Sequence, residues 1–410
     1  MSGVGRSRRD VLVLAVAIAL FSLNLRPALV AVGPLAPQLR DDTGLSASAT
    51  SLLTTLPLVC FGLFATVAPR LGRRVGLERA LLAAILLLVA GIALRLAAPT
   101  AALFAGSAVA GAGIAIANVL LPGVIKRDFP RHTGPMMAVY SVALNGGAAL
   151  AAGLTVPLED ALGLSWRGAL ALWGIVALAT AVLWLPQART APPPSAGASV
   201  HARGVWRSRV AWAVALFMGL QSLEFYALSA WLPTVLRDDG MSASTAGLMV
   251  ALMSASSIGA SLVVPVVAAR SRRQRGLTAA AAGCFVFGSV GLLIAPAGGA
   301  LLWVMVLGLG QGTGISLSLT MFVLRTRTAE AAGELSGMAQ TVGYLIAAGG
   351  PLAAGALHDL SGGWTLPIAA LIVGLVPLAA AGWRAGEDRT IEDVAQGPPA
   401  RRAARPGAPS

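Results

Sequence analysis

Two ionisable side chains stand inside long apolar runs of this sequence, and each suggests its own chemistry. Arg26 follows about 15 mostly apolar residues, too far in to snorkel easily to an interface, and Glu224 lies within a second such run. Ionisable groups inside membrane helices are unfavourable by about 2.5 to 3.5 kcal/mol on insertion scales and are functional by default. A guanidinium stays charged and donates in a planar fork, so Arg26 can attract an anionic or electron-rich solute. It can equally hold a helix end, or Glu224. Glu224, a group that can gain and lose a proton, is a candidate for proton coupling.

Uncharged polar side chains accompany them in apolar runs: Asn24, Asn118, Tyr140, Asn145, Gln221, Tyr226, Gln311, Gln340 and Tyr344. In a bilayer such groups commonly bond across helices for roughly 1 kcal/mol each. Several converging on one cavity would instead form a small polar-ligand site with aromatic walls. Other chemistries find no support. His132, His201 and His358 fall in loops or at a helix end, without triad or zinc spacing, so neither an enzyme nor a metal or other cofactor is expected. Cys60 and Cys284 lie in apolar runs and read as packing residues. The stretches Gly106 to Gly113 and Gly308 to Gly314 lack the lysine and preceding strand of a phosphate loop. They read as small-residue faces that let helices approach and rock.

The elements that must position these residues are membrane helices. The 410 residues are 56% hydrophobic and 11% charged, against about 25% charged in soluble domains. Apolar runs of the length that crosses a bilayer are expected near 11–33, 47–68, 79–98, 101–124, 135–157 and 168–186, and again near 210–235, 243–268, 277–296, 299–323, 335–357 and 364–383. Pro27, Pro57, Pro122, Pro157, Pro233 and Pro265 are expected to kink them. Between the two sets, residues 187–208 are rich in Pro, Ala, Ser and Arg and read as a linker, and residues 386–410 as a disordered tail. The domains expected are thus 1–186 and 209–385, each a bundle of six helices.

The net charge of +13 does not mark a nucleic-acid binder, because the basic residues are scattered through the short connections. With twelve spans, 25 of the 30 basic residues fall on one side and only Arg40, Arg95, Arg167 and Arg237 on the other, Arg26 being within a span. Cytoplasmic loops retain positive charge, so both termini are expected in the cytoplasm of a bacterial cell, with the chain in the inner membrane. A missed span would reverse every later loop and destroy the asymmetry.

An internal repeat supports the two halves. Leu39-Arg-Asp-Asp-Thr-Gly-Leu-Ser-Ala-Ser recurs as Leu236-Arg-Asp-Asp-Gly-Met-Ser-Ala-Ser, Gly111-Ala-Gly-Ile as Gly312-Thr-Gly-Ile, and Leu158-Glu-Asp through Trp166 as Leu357-His-Asp through Trp364. Halves with an even number of crossings run parallel, related by an axis along the membrane normal. The segments Asn24-Leu-Arg-Pro27, Ser51 to Pro57, Cys60-Phe-Gly62, Gly113 to Asn118 with Leu121-Pro122, Gln221-Ser222 with Phe225-Tyr226, and Trp231-Leu-Pro233 resemble the cyanate and 2-nitroimidazole transporters of the major facilitator superfamily. That superfamily's loop signature between the second and third helices appears at Ala65 to Arg74, where Arg70, Gly72, Arg73 and Arg74 fit and Pro69 replaces the acid. The resemblance implies an all-α major facilitator fold, a gating role for that loop, and a central cavity faced by the first and seventh helices, with Arg26 and Glu224 both near the solute path. The function expected is proton-coupled carriage of a small anionic or nitrogen-rich solute. Export of neutral or cationic drugs against protons is the alternative, which Glu224 suits and Arg26 does not. The expected partners are that small molecule, protons and the lipid bilayer, with the chain a monomer.

Overall fold

Proline, glycine and hydropathy together dictate where this chain's helices break and restart. The computed structural model describes residues 8–45, 47–189 and 202–392. The first half comprises α1 (Arg8–Leu23), α2 (Pro27–Val30), α3 (Ala36–Thr43), α4 (Ala47–Phe64), α5 (Ala68–Val75), α6 (Leu77–Leu94), α7 (Thr100–Asp128), α8 (Thr133–Leu162) and α9 (Trp166–Arg189). After α10 (Ala202–Arg207), the second half comprises α11 (Arg209–Asp238), α12 (Ala243–Arg270), α13 (Arg275–Ile294), α14 (Ala300–Leu324), α15 (Ala329–Ser361) and α16 (Thr365–Ala385).

Among the described residues, ten segments are long and apolar enough to cross a membrane: Val11–Val30, which joins α1 to α2, and α6, α7, α8, α9, α11, α12 from Thr245, α13, α14 and α16. The other two of the twelve crossings are α4 and α15. The 33-residue α15 carries Glu330, Glu334, Gln340, Thr341 and Tyr344, and Glu334, Gln340 and Tyr344 are buried on a face of the helix that packs against protein rather than lipid. Leu12, Ile175, Leu352 and Val373, by contrast, are more than 60% exposed, a distribution that suits hydrocarbon and not water.

Of the six prolines expected to kink helices, five leave the helix continuous and Pro27 alone interrupts it. The chain turns at Asn24 to Arg26, and Pro27 then takes the first turn of α2, where its missing N–H removes no bond. The second expected span also breaks, at residues 65–67, and Pro69 falls in the first turn of α5, where its missing N–H removes no bond.

The repeat anchors turn out to be helix terminators and ties. Gly44 and Gly240 follow the two Leu-Arg-Asp-Asp segments with φ of 70° and 92°, and Gly163 and Gly362 end α8 and α15 with φ of 61° and 67°. Beyond them, Asp42 accepts hydrogen bonds from Trp166 Nε1 at 3.2 Å and Arg167 Nη1 at 2.6 Å, while Asp238 accepts from Trp364 Nε1 at 2.8 Å. Each half is therefore stitched to itself at the same end.

Glycine faces pack within the halves. A Cβ at Gly113 would stand 2.4 Å from Ala84 O on α6, and one at Gly308 or Gly312 would stand 2.1 Å from a carbonyl oxygen of α12. The glycine stretches expected to permit rocking thus weld neighbouring helices of one half together. Glycines at the boundary between halves are Gly62, against Leu345, Gly123, against Ala329 O, Gly134, against Ala269, and Gly337, against Ala65 O.

The connecting segments are more structured than their composition implies. Helix α9 runs to Arg189, and α10 forms at the end of the expected linker, with Val205 buried; residues 190–201, including His201, lie outside the described residues. Of the expected disordered tail, residues 386–392 are held in place. Ile391 is buried and its N–H donates to Arg325 O, Glu387 pairs with Arg275 at 2.7 Å, and Glu392 accepts from Arg327 N. One apolar side chain and alternating acids meet a basic surface there. Residues 393–410 lie outside the described residues.

Candidate functional site

Arg26 occupies the break between α1 and α2. Its side chain is partly exposed and lines a cavity between the halves. Among the described residues, no salt bridge or side-chain hydrogen bond engages its guanidinium. The chain contains three tyrosines, and all three, Tyr140, Tyr226 and Tyr344, lie within electrostatic reach of Arg26. A tyrosine set used for membrane-interface belts would be distributed near the ends of the helices instead.

The same cavity is lined by Asn145 on α8, Gln221, Ser222, Phe225 and Tyr226 on α11, Ser257 on α12, Gln311 and Ile315 on α14, and Tyr344 on α15. Its volume is about 30 Å³, room for a few waters and far below the roughly 300 to 1,000 Å³ of pockets that take drug-sized ligands. Of the residues expected here from sequence, Arg26, Asn145, Gln221, Tyr226, Gln311 and Tyr344 line it. Tyr140 and Asn118 stand behind, the hydroxyl donating to Asn118 Oδ1 at 3.1 Å. Asn24 turns away, its amide donating to Leu20 O and to Thr180 Oγ1 on α9, and Gln340 donates to Ser336 Oγ one turn back. Ser222, Phe225, Ser257 and Ile315 were not singled out as solute contacts; serines and an isoleucine on an apolar helix look like packing until the neighbouring helices are in place.

Glu224 does not line this cavity, and no salt bridge joins it to Arg26. It is 1% exposed, Oε2 has no hydrogen-bond partner, and Oε1 would lie 3.7 Å from a Cβ at Gly374 on α16. The expectation that both charged residues flank one solute path fails on rotation about the helix axis: Gln221, Ser222, Phe225 and Tyr226 share a face of α11 from which Glu224 points away.

Residues 12–351 match the description Major Facilitator Superfamily. The chain belongs to that superfamily. Within it, the chain is 42% identical over 378 residues to the uncharacterized transporter YycB of Bacillus subtilis (strain 168), covering 91% of this chain and 93% of that one. It is 40% identical over 387 residues to the 2-nitroimidazole transporter of Escherichia coli (strain K12), covering 94% and 98%, and 33% identical over 351 residues to the cyanate transport protein CynX of the same organism, covering 85% and 91%. The solved proton:xylose symporter XylE shares the fold, with a TM-score of 0.75 at 14% identity over 94% of this chain and 98% of that one. The chain is a multi-pass membrane transporter and not an enzyme.

The superfamily loop signature sits on α5, beside a closed seam between the halves. Gly72 packs against Leu77 and Leu120, Arg73 pairs with Glu334 on α15 of the other half, and Arg70 and Arg74 are exposed. With Pro69 in the acid's place, the charge that answers Arg73 comes from across the seam. Lys126 at the end of α7 donates to Val323 O at 2.6 Å and Thr326 O at 2.5 Å, the open carbonyls at the end of α14. Deeper in, Thr341 Oγ1 donates to Gly62 O and Asn145 Nδ2 to Ser261 Oγ, each at 3.1 Å. These side-chain hydrogen bonds and ion pairs between halves lie between the cavity and this arginine-rich end. The transporter is therefore closed toward its arginine-rich face.

Proposed function

We propose that this transporter carries a small anionic or nitrogen-rich organic solute, cyanate- or nitroimidazole-like, across the bacterial inner membrane by alternating access, coupled to protons. The supporting observation is a cation, Arg26, that lines the cavity between the halves without an acidic partner, amid the chain's three tyrosines. An unpaired guanidinium in a low-dielectric site repels cations and attracts planar anions or electron-rich groups. The relatives named for 2-nitroimidazole and cyanate fit that preference, and the lack of a lining acid disfavours export of cationic drugs.

The 25 basic residues on one side support cytoplasmic termini, so the arginine-rich seam is the inner gate and the cavity opens outward. Residues 1–186 then rock against 209–385 in a monomer. A monovalent anion entering against 100 mV, inside negative, costs about 2.3 kcal/mol, which one co-transported proton cancels. Glu224 is the candidate proton carrier; set between α11 and α16, it would act on the cavity through movement of α11.

The test is substrate-induced proton movement in proteoliposomes, with cyanate, 2-nitroimidazole, small carboxylates and cationic dyes, on wild type, Arg26→Ala and Glu224→Gln. Anion-driven alkalinisation outside, abolished in Arg26→Ala and uncoupled in Glu224→Gln, is the expected result. Proton movement driven by dyes alone and stopped by Glu224→Gln alone would make the chain an exporter.

A further inference from the structure

The three amides that line the cavity all turn their nitrogens toward protein. Gln221 Nε2 donates to Met218 O at 3.1 Å and Ser222 Oγ at 2.7 Å, and a carbonyl partner, which can only accept, settles which end of the amide is nitrogen. Asn145 Nδ2 donates to Ser261 Oγ, and Gln311 Nε2 faces Met253 Sδ at 3.5 Å. Their carbonyl oxygens are what remains for a solute. Gln311 is only 2% exposed and its Oε1 has no partner at all. A buried acceptor without a donor is unfavourable until something supplies one. On the other half, Arg26 offers donors and no acceptor.

The cavity therefore has a donor pole on the first half and an acceptor pole, Gln311 with Gln221, on the second. Resting on the reading of this cavity as the solute site, we propose that Gln311 determines specificity by requiring an N–H or O–H donor on the solute, in addition to the anionic or electron-rich group that meets Arg26. A bare oxyanion engages only Arg26. A planar azole bearing a ring N–H and an electron-rich substituent engages both, and in doing so bridges the two halves across their seam.

The experiment compares equilibrium binding of 2-nitroimidazole, its N-methyl derivative, its 4-methyl derivative and cyanate to detergent-purified wild type, Gln311→Met, Gln311→Glu and Arg26→Gln. Sites built to bond a donor discriminate strongly against analogues that lack it, so wild type should prefer the N–H compound to the N-methyl compound by about tenfold or more. The 4-methyl compound, which adds the same bulk but keeps the N–H, should bind like the parent. Gln311→Met should reduce the preference toward unity by weakening the N–H compounds alone, and Gln311→Glu, which keeps an acceptor, should retain it. Equal wild-type affinity for the N–H and N-methyl compounds, or equal losses from both methyl positions, overturns the donor requirement; if Arg26→Gln still abolishes binding, the anion-site reading survives. Binding indifferent to Arg26, or no binding of any probe, overturns both.

Discussion

Replacing Lys126 by methionine should open the arginine-rich seam without touching the cavity. Lys126 is the chain's single lysine, and it closes two carbonyls at the end of α14 across the boundary between halves. A cation at a helix C-terminus contributes about 0.3 to 1 kcal/mol, up to about 2 where partly buried, and hydrogen bonds to charged groups about 1.5 to 3 kcal/mol. These overlap, and the open state rehydrates the ammonium, so about 2 kcal/mol is the net loss expected for the closed state. That corresponds to roughly a 30-fold rise in the open-to-closed ratio. Spin labels at Arg131→Cys and Arg272→Cys, exposed on opposite halves of this face, would report it by pulsed distance measurement once Cys60 and Cys284 are replaced. Wild type should give a short distance, and Lys126→Met a second, longer component. An unchanged distribution would refute the reasoning and leave the closure to Arg73 and Glu334.

Two further outcomes follow from the same geometry. Gly312→Val should collapse expression or melting temperature, because its Cβ would stand 2.1 Å from Ser257 O on α12, whereas Gly259→Ala, with open space around it, should be silent in the same thermal assay. Asp42 sets a pH limit for the stitch that ties the first half to itself. Hydrogen bonds from Arg167 and Trp166 hold its carboxyl below the ordinary 3.8, so its contribution is complete above that value and lost only as pH falls through the lowered one. The melting difference between wild type and Asp42→Asn should be constant from about pH 5 to 8 and shrink below about pH 4.

Much of this architecture was legible because bilayer solvation leaves few alternatives. Hydropathy and the arginine asymmetry place all twelve crossings, α4 and α15 included. The repeat was readable as symmetry; that its Asp, Gly and Trp residues terminate helices and stitch each half appears only in three dimensions. Arg26 was legible as chemistry because an arginine inside a membrane span is so costly. Glu224 was legible as unusual but misplaced. At about 100° per residue, it lies roughly 130° from the centre of the face formed by Gln221, Ser222, Phe225 and Tyr226, and α11 is apolar on so many sides that hydropathy cannot orient it. The role of Lys126 escaped for another reason: a lysine beside Arg127 in a loop reads as topology, and its acceptors are backbone carbonyls 197 and 200 residues away.

The most direct test of the account is the affinity of purified wild type and Arg26→Gln for 2-nitroimidazole and cyanate. Losing a charge-assisted contact of about 1.5 to 3 kcal/mol predicts affinity weaker by roughly 10- to 150-fold for at least one of them, with the melting temperature of the unliganded protein little changed. Equal affinities in the two proteins would contradict the claim that Arg26 is the cation that recognises the solute.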